Sequence, residues 1–351
     1  MDDLRLAIIG YGLAGRTFHA PLIAATAGLC VAAIVTGDPE RRAQAAREHP
    51  TAECLSQPNE LWQRADAVDA VVVAAPNDVH AALATAAIDR RLPVVVDKPL
   101  AVTAHDALAL VEHAERTGVA LTVYQNRRWD SDQLLLAQLI AAGRLGTVIR
   151  YESRFERWRP ETNAGGWRDS ATVAAGGGQL LDLGSHLVDQ ALHHFGPAER
   201  VYAEIDSRRG TEADDDAFLA VTHASGVISH LHGSALVAAP GPRLRVLGTE
   251  GALLVTALDT QEDRLRAGER PDTVSDWGVE PSHARPLLVV GAQSVPLTGP
   301  PGDWAAFYRL LRTALTDGAP PPVDPRDAVA ALRVIESARR SAAERRVVVV
   351  A

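Results

Sequence analysis

Leu4-Arg5-Leu6-Ala7-Ile8-Ile9-Gly10-Tyr11-Gly12-Leu13-Ala14-Gly15 is the stretch on which the fold turns. An apolar run without turn residues stops abruptly at a glycine triplet, and an alanine-bearing segment follows; that order spells strand, turn, helix. A glycine triplet alone is weak evidence, but one placed between a strand and a helix has the context a dinucleotide site requires. The first glycine permits the tight turn, the second lets a pyrophosphate approach the backbone, and the third allows close helix packing. The phosphates then face a helix N-terminus, where free N–H groups and the helix dipole favour negative charge. Gly10, Gly12, Leu13, Ala14 and Gly15 are therefore the first expected cofactor contacts.

Working outward, apolar β-branched runs recur at Val31–Val35, Val68–Ala75, Val94–Val96 and Val119–Val123, spaced by alanine-rich segments long enough for helices. Continuous rather than alternating hydrophobicity means strands covered on both faces, as in a parallel sheet. From about residue 145 the rhythm changes. Thr147–Phe155, Arg200–Asp206, Phe218–Thr222, Val227–Leu231, Leu244–Leu247 and Leu253–Leu258 follow one another at mostly hairpin spacing, which implies an antiparallel sheet. Helices are expected over Leu180–Phe195, Asp303–Thr316 and Asp327–Glu344. The expected architecture is an α/β Rossmann domain with a mostly parallel sheet, residues 1–123, followed by an α+β domain with a large, mainly antiparallel, open-faced sheet, residues 124–351. The C-terminal helices are expected to be able to pack back on the first domain.

The chain has 351 residues, 47% of them hydrophobic, enough to bury two cores. Its formal charge of −9 excludes phosphate-backbone binding as a main activity, so no nucleic-acid partner is expected. No stretch approaches the roughly 18 consecutive apolar residues that span a bilayer, and Met1-Asp2-Asp3 lacks the positive head of a signal peptide. With Cys30 and Cys54 as the two cysteines, too few for a disulfide framework, a reducing cytoplasm is the expected compartment.

The second strand ends at Val35, where an NAD-preferring domain usually places an acid for the ribose 2′-hydroxyl. Here Thr36-Gly37 stand at the tip, with Arg41 and Arg42 close behind, a set suited to a 2′-phosphate, so NADP is expected over NAD. Asp38 could turn to the ribose or simply cap the helix opening at Pro39. Pro76 and Asn77 follow another strand end on the same carboxyl edge, with His80 in the next turn, either at the nucleotide or as an exposed helix-start residue.

Asp97-Lys98-Pro99 brings a lysine to that edge, where a nicotinamide would lie. There it can stabilise the alkoxide that forms as hydride leaves. On the helix over Leu180–Phe195, Asp182 and His186 are four apart and share a face, beside His193 and His194. An imidazole titrates near neutrality and can exchange a hydroxyl proton, with a carboxylate to orient it or to hold a polyol. A merely polar helix face is the competing account. Zinc would need ligand spacings the chain lacks, so no metal is expected.

At these residues the chain resembles the Gfo/Idh/MocA oxidoreductases. The resemblance is carried by Gly10 to Ile23, by Asp97-Lys98-Pro99 as a variant of a Glu-Lys-Pro signature, and by Asp182-x-x-x-His186. Tyr124 to Asp130, Asp182 to His186 with Asp189-Gln190, and Gln261-Glu262-Asp263 with Arg266-Ala267-Gly268 look like the branch that contains NADP-dependent scyllo-inositol dehydrogenases. The resemblance implies Lys98, Asp182 and His186 as a catalytic triad, Arg127 and Trp129 facing the substrate, and Trp167-Arg168 reaching the cofactor. It also implies a homodimer or homotetramer built on the open sheet face. The implied activity interconverts a secondary alcohol and a ketone on a cyclic polyol or sugar. A glycosidase or epimerase using nicotinamide transiently, and a non-enzymatic NAD(P)-binding regulator, are the alternatives.

Overall fold

The computed structural model describes residues 3–162 and 170–350, so Trp167 and Arg168 lie outside the described residues. The opening run is β1 (Leu4–Ile9), and β2 (Leu29–Val35), β3 (Glu53–Leu55), β4 (Ala70–Val73), β5 (Val94–Asp97) and β6 (Leu121–Tyr124) complete a sheet ordered β3-β2-β1-β4-β5-β6. Every pairing in it is parallel. Val71, Val72, Val73, Val95 and Val96 are wholly buried because helices cover both faces, which is why the strands read as unbroken apolar runs. Strand order reverses at β1, with β2 on one side and β4 on the other. In open α/β sheets a ligand crevice forms at the carboxyl ends of strands at such a point.

The helices between these strands begin where local chemistry allows. α1 opens as a π-helical turn, Ala14–His19, and continues as α-helix over Ala20–Ala24. α2 (Pro39–Glu48) is capped by Asp38, whose carboxylate accepts from the N–H groups of Glu40 and Arg41. α3 (Pro58–Trp62) and α4 (His80–Ile88) follow. α5 (Ala104–Thr117) runs from a Thr103 cap to Gly118 in the left-handed conformation.

Among the described residues the second sheet has nine strands: β7 (Val148–Glu156), β8 (Ala198–Asp206), β9 (Asp216–His223), β10 (Ile228–Ser234), β11 (Leu244–Gly248), β12 (Ala252–Val255), β13 (Leu287–Val290), β14 (Gln293–Pro296) and β15 (Val348–Val349). Their order is β14-β13-β12-β11-β7-β10-β9-β8-β15, antiparallel throughout except for the parallel pair β7 and β10. Alternating burial along β9 and β10 marks one covered and one open face. The short strands β3, β13, β14 and β15 were not expected from the sequence; they lie at or near sheet edges and carry too few residues to show a period.

α6 (Ser131–Ala141) leads into the second sheet. The helix expected over Leu180–Phe195 is two pieces, α7 (Gln179–Asp182) and α8 (Gly184–Phe195). The break at Leu183 has a cause: the Asp182 carbonyl accepts from Lys98 Nζ at 2.7 Å and from Ser185 Oγ at 3.2 Å, outside the regular helical ladder. α9 (Gln261–Arg266), α10 (Ala305–Asp317) and α11 (Pro325–Glu344) follow later in the chain. α11 packs on α5 and β6 of the first unit and on α8 and β8 of the second. No helix among the described residues is long and apolar enough to cross a membrane.

Candidate active site

A cavity of about 790 Å³ runs along the carboxyl edge of the parallel sheet and under the second sheet. At one end lies the glycine turn. Gly10 has φ of +104°, and a Cβ there would fall 2.2 Å from the Ala74 carbonyl oxygen. A Cβ on Gly15 would lie 1.9 Å from the Gly10 carbonyl oxygen, so this glycine is what lets α1 sit against the turn. Gly12 is different: its nearest neighbour would be Arg41 Nη1 at 3.7 Å, leaving room for a ligand to approach the backbone. The first turn of α1 has no capping side chain and no acid, so its N–H groups stand available to an anion.

Thr36, Gly37, Asp38, Arg41 and Ser56 line the far end. Asp38 is committed to α2: Oδ1 accepts from the N–H groups of Glu40 (2.9 Å) and Arg41 (3.2 Å), and Oδ2 lies 3.4 Å from Arg41 Nε. Pro76 and Asn77 also line the cavity, and Asn77 Nδ2 donates to the Gly176 carbonyl at 2.8 Å, tying the turn after β4 to the loop before α7. Gly178, with φ of +102°, seats α7 so tightly that a Cβ would lie 2.3 Å from Asp214 Oδ1. The glycine run is thus a packing requirement. An open glycine backbone, an uncapped helix start and a tip without a free carboxylate fit a dinucleotide whose phosphates rest on α1.

At the other end the Lys98–Pro99 peptide is cis. Lys98 Nζ donates to Asp182 Oδ1 at 2.6 Å as well as to its carbonyl. The carboxylate expected to tune His186 or hold a polyol is therefore engaged with the lysine. Beneath it, burial would raise the Asp97 carboxyl, but the neighbouring His19 imidazole, 3.9 Å away, together with Lys98 and His80 holds it below its ordinary value. His186 is buried with Nδ1 3.0 Å from Gln125 Oε1, which as an acceptor fixes the proton on Nδ1 and the lone pair on Nε2. Burial, with the positive charges of Lys98 and Arg127, drives the His186 pKa well below the ordinary histidine value despite Asp182, so the ring is neutral. Arg127 lines the cavity, bonded to Glu262 Oε2 at 2.5 Å and lying over the rings of Phe155 and Trp304.

Two expected residues sit elsewhere. His80 is buried behind the wall, its ring nitrogens 2.8 Å from the carbonyl oxygens of Pro99 and Ala75, so it braces the Lys98 turn. Trp129 packs edge-on against Phe307 outside the cavity, and it is Trp304 that lines it. Among the polar and aromatic lining residues unforeseen in the sequence are Arg157, Arg159 and Trp304; Asn126, Glu262 and Arg266 stood only within recognised motifs. No periodicity or spacing signals them, because the extension of β7, α9 and the start of α10 converge on the cavity from distant parts of the chain. Among the described residues no group of three or more His, Cys, Asp or Glu side chains could hold a metal ion.

The family model described as "Oxidoreductase family, NAD-binding Rossmann fold" matches residues 4–125, and that described as "GFO/IDH/MocA C-terminal domain" matches residues 134–254. The chain belongs to the GFO/IDH/MocA oxidoreductases. Within that family it is 38% identical over 346 residues to the uncharacterized oxidoreductase YdgJ of Escherichia coli K12, covering 98% of each chain. It is 33% identical to the scyllo-inositol 2-dehydrogenase (NADP(+)) IolW of Bacillus subtilis, covering 99% of this chain and 96% of that one. The solved structure of yvaA from Bacillus subtilis superposes with a TM-score of 0.93 at 32% identity, covering 100% of this chain and 99% of the other. As a GFO/IDH/MocA member the chain is an NAD(P)-dependent oxidoreductase with a nicotinamide-nucleotide-binding Rossmann fold.

Proposed function

We propose that this GFO/IDH/MocA oxidoreductase is an NADP-preferring dehydrogenase that interconverts a secondary alcohol and a ketone on a cyclic polyol or sugar. The observation that carries the reading is the meeting of Lys98 and a neutral His186 in the cavity that the glycine turn opens. A nicotinamide bound in this cavity would supply the hydride acceptor or donor. His186 Nε2, which has no hydrogen-bond partner among the described residues, takes the hydroxyl proton. Lys98 places its positive charge on the oxygen from which that proton leaves. Asp182 positions Lys98, and Gln125 holds the tautomer of His186. Preference for NADP rests on Thr36 and Arg41 lining the ribose end while Asp38 is occupied as a cap. The relative IolW, by its name, uses NADP on an inositol, which supports the same substrate class here.

We further assign the protein to the cytoplasm and to a homodimer or homotetramer. Both its cysteines are free thiols, and the outer sheet exposes Ile149, Val290 and Val295. Replacing Lys98 with Met and following single-turnover hydride transfer tests the assignment. A loss of about 10²–10³ in rate is expected, and an undiminished rate refutes it. Absorbance assays of inositols and pyranoses with NADP and NAD test the cofactor, activity with NAD alone being the adverse result.

A further inference from the structure

The catalytic end of the cavity carries more positive than negative charge, in a chain whose formal net charge is −9. Lys98, Arg127, Arg157, Arg159 and Arg266 line it against Asp97, Asp182 and Glu262. Three of these cations are matched: Lys98 by Asp182 at 2.6 Å, and Arg127 and Arg266 by Glu262 at 2.5 and 2.8 Å. Arg157 is not. Its guanidinium has no hydrogen bond or ion pair among the described residues. Burial lowers its pKa from the ordinary arginine value, with Arg159 and Arg127 acting the same way against Glu262 and Asp182. A guanidinium nonetheless keeps its charge in a protein, so the fold holds a partly buried cation with no direct ion-pair or hydrogen-bond partner among the described residues, an arrangement that an incoming anion relieves.

Geometry places this cation at the reacting end. β7 ends at Glu156, but Arg157 N and Arg159 N still donate to the carbonyls of Ser234 (2.9 Å) and Ala235 (2.7 Å), and Val237 N donates to that of Arg157 (2.9 Å). The segment therefore stays extended, and Phe155, Arg157 and Arg159 share one side of it while Trp158 turns to solvent. Phe155 lies against His186 and under Arg127, so the two arginines continue that row along the cavity. The phosphates of a dinucleotide belong at the opposite end, on Gly12 and the start of α1. An anion for Arg157 must come with the substrate.

We propose that the substrate carries an acidic group, a carboxylate or phosphate ester on the sugar or polyol, and that Arg157, seconded by Arg159, binds it. This rests on the dehydrogenase reading above. The test is calorimetry on the enzyme–NADPH complex, with initial rates alongside, for matched probes: hexuronates, hexonates, hexose phosphates and inositol phosphates, each against its neutral parent. At least one acid is expected to bind about tenfold or more tighter than its parent, and the carboxylate and phosphate arms tell which acid is meant. Arg157→Gln should collapse that ratio by about tenfold or more, with Arg157→Lys keeping part of it. The melting temperature of Arg157→Gln should hold or rise, because a partly buried cation with no direct partner is removed; a purely structural arginine would lower it.

The inference is overturned if no acid binds tighter than its parent, if Arg157→Gln leaves the ratio unchanged, or if that variant weakens only NADPH. Tight acid binding lost in Arg157→Gln without turnover of any probe would instead defeat the dehydrogenase reading and leave the anion site standing. Turnover of neutral polyols with no gain from an acid would do the reverse.

Discussion

Asp182→Asn separates two roles for one carboxylate. Lys98 Nζ lies 2.6 Å from Asp182 Oδ1, and the two side chains are 14% and 15% exposed. Opposite charges about 3 Å apart attract by roughly 5 kcal/mol at an effective dielectric near 20. Desolvation of both ions offsets part of that, and the asparagine variant keeps the 2.7 Å bond from Nζ to the main-chain carbonyl. A net loss of about 2–3 kcal/mol in holding Lys98 is therefore expected, which corresponds to roughly 30- to 150-fold in rate if the lysine acts only when anchored. Steady-state kinetics separate the alternatives: a carboxylate that positions Lys98 shows its loss in kcat, whereas one that grips the polyol shows it in KM with kcat preserved. Asp182 also opposes the fall in the His186 pKa, so its neutralisation should move the acid limb of kcat/KM lower still. Activity within threefold of wild type, or an acid limb that moves up, would refute the reasoning.

Other expectations follow from the same geometry. With His186 neutral by burial, kcat/KM should hold its plateau below pH 6, and a limb near 6.5 in the pH profile would contradict that; His186→Asn should cost about 10²–10⁴ in rate. Gly15→Ala, whose methyl would overlap the Gly10 carbonyl, should destabilise by about 3 kcal/mol in thermal or urea unfolding, whereas Gly12→Ala should melt near wild type but bind NADPH about tenfold more weakly. Arg41→Ala should weaken NADPH by about tenfold relative to NADH in fluorescence titration. Burial, with Asp259 beside it, pushes the Glu280 carboxyl up to about 7. Its folded pKa lies above the unfolded value, so this contribution is full below about pH 4.5 and is lost as pH rises through 7. The melting temperature should fall between pH 5 and 8, and Glu280→Gln should flatten that slope.

The sequence was most legible where a local rule is also a rule of position. Strand ends were readable because both-sided burial makes parallel strands apolar until they stop, and whatever follows the stop stands at the ligand edge: Gly10, Thr36, Pro76, Asn77 and Lys98 all do. The helix carrying Asp182 and His186 was readable as a helix, but its break at Leu183 was not, because the group that draws off the Asp182 carbonyl comes from residue 98. Arg157 was invisible for a related reason: only the extension of β7 beside residues 234–237 turns it toward the cavity. His80 carried a legible position and an illegible function, since bracing two carbonyls leaves no trace in spacing.

α11 gives the molecule a shared keel. It lies on α5 and β6 as well as on α8 and β8. The loop before it exchanges hydrogen bonds with β6, Thr122 Oγ1 donating to the Val323 carbonyl at 2.8 Å, and Glu336 on the helix accepts from Ala104 N at 2.7 Å. A fragment ending at residue 123 would hold every strand of the nucleotide sheet yet leave the apolar flank of α5 wet and the start of that helix without its acceptor. A helix encoded some two hundred residues later thus covers part of the cofactor half, and a fragment ending at residue 123 is expected to melt below the full chain.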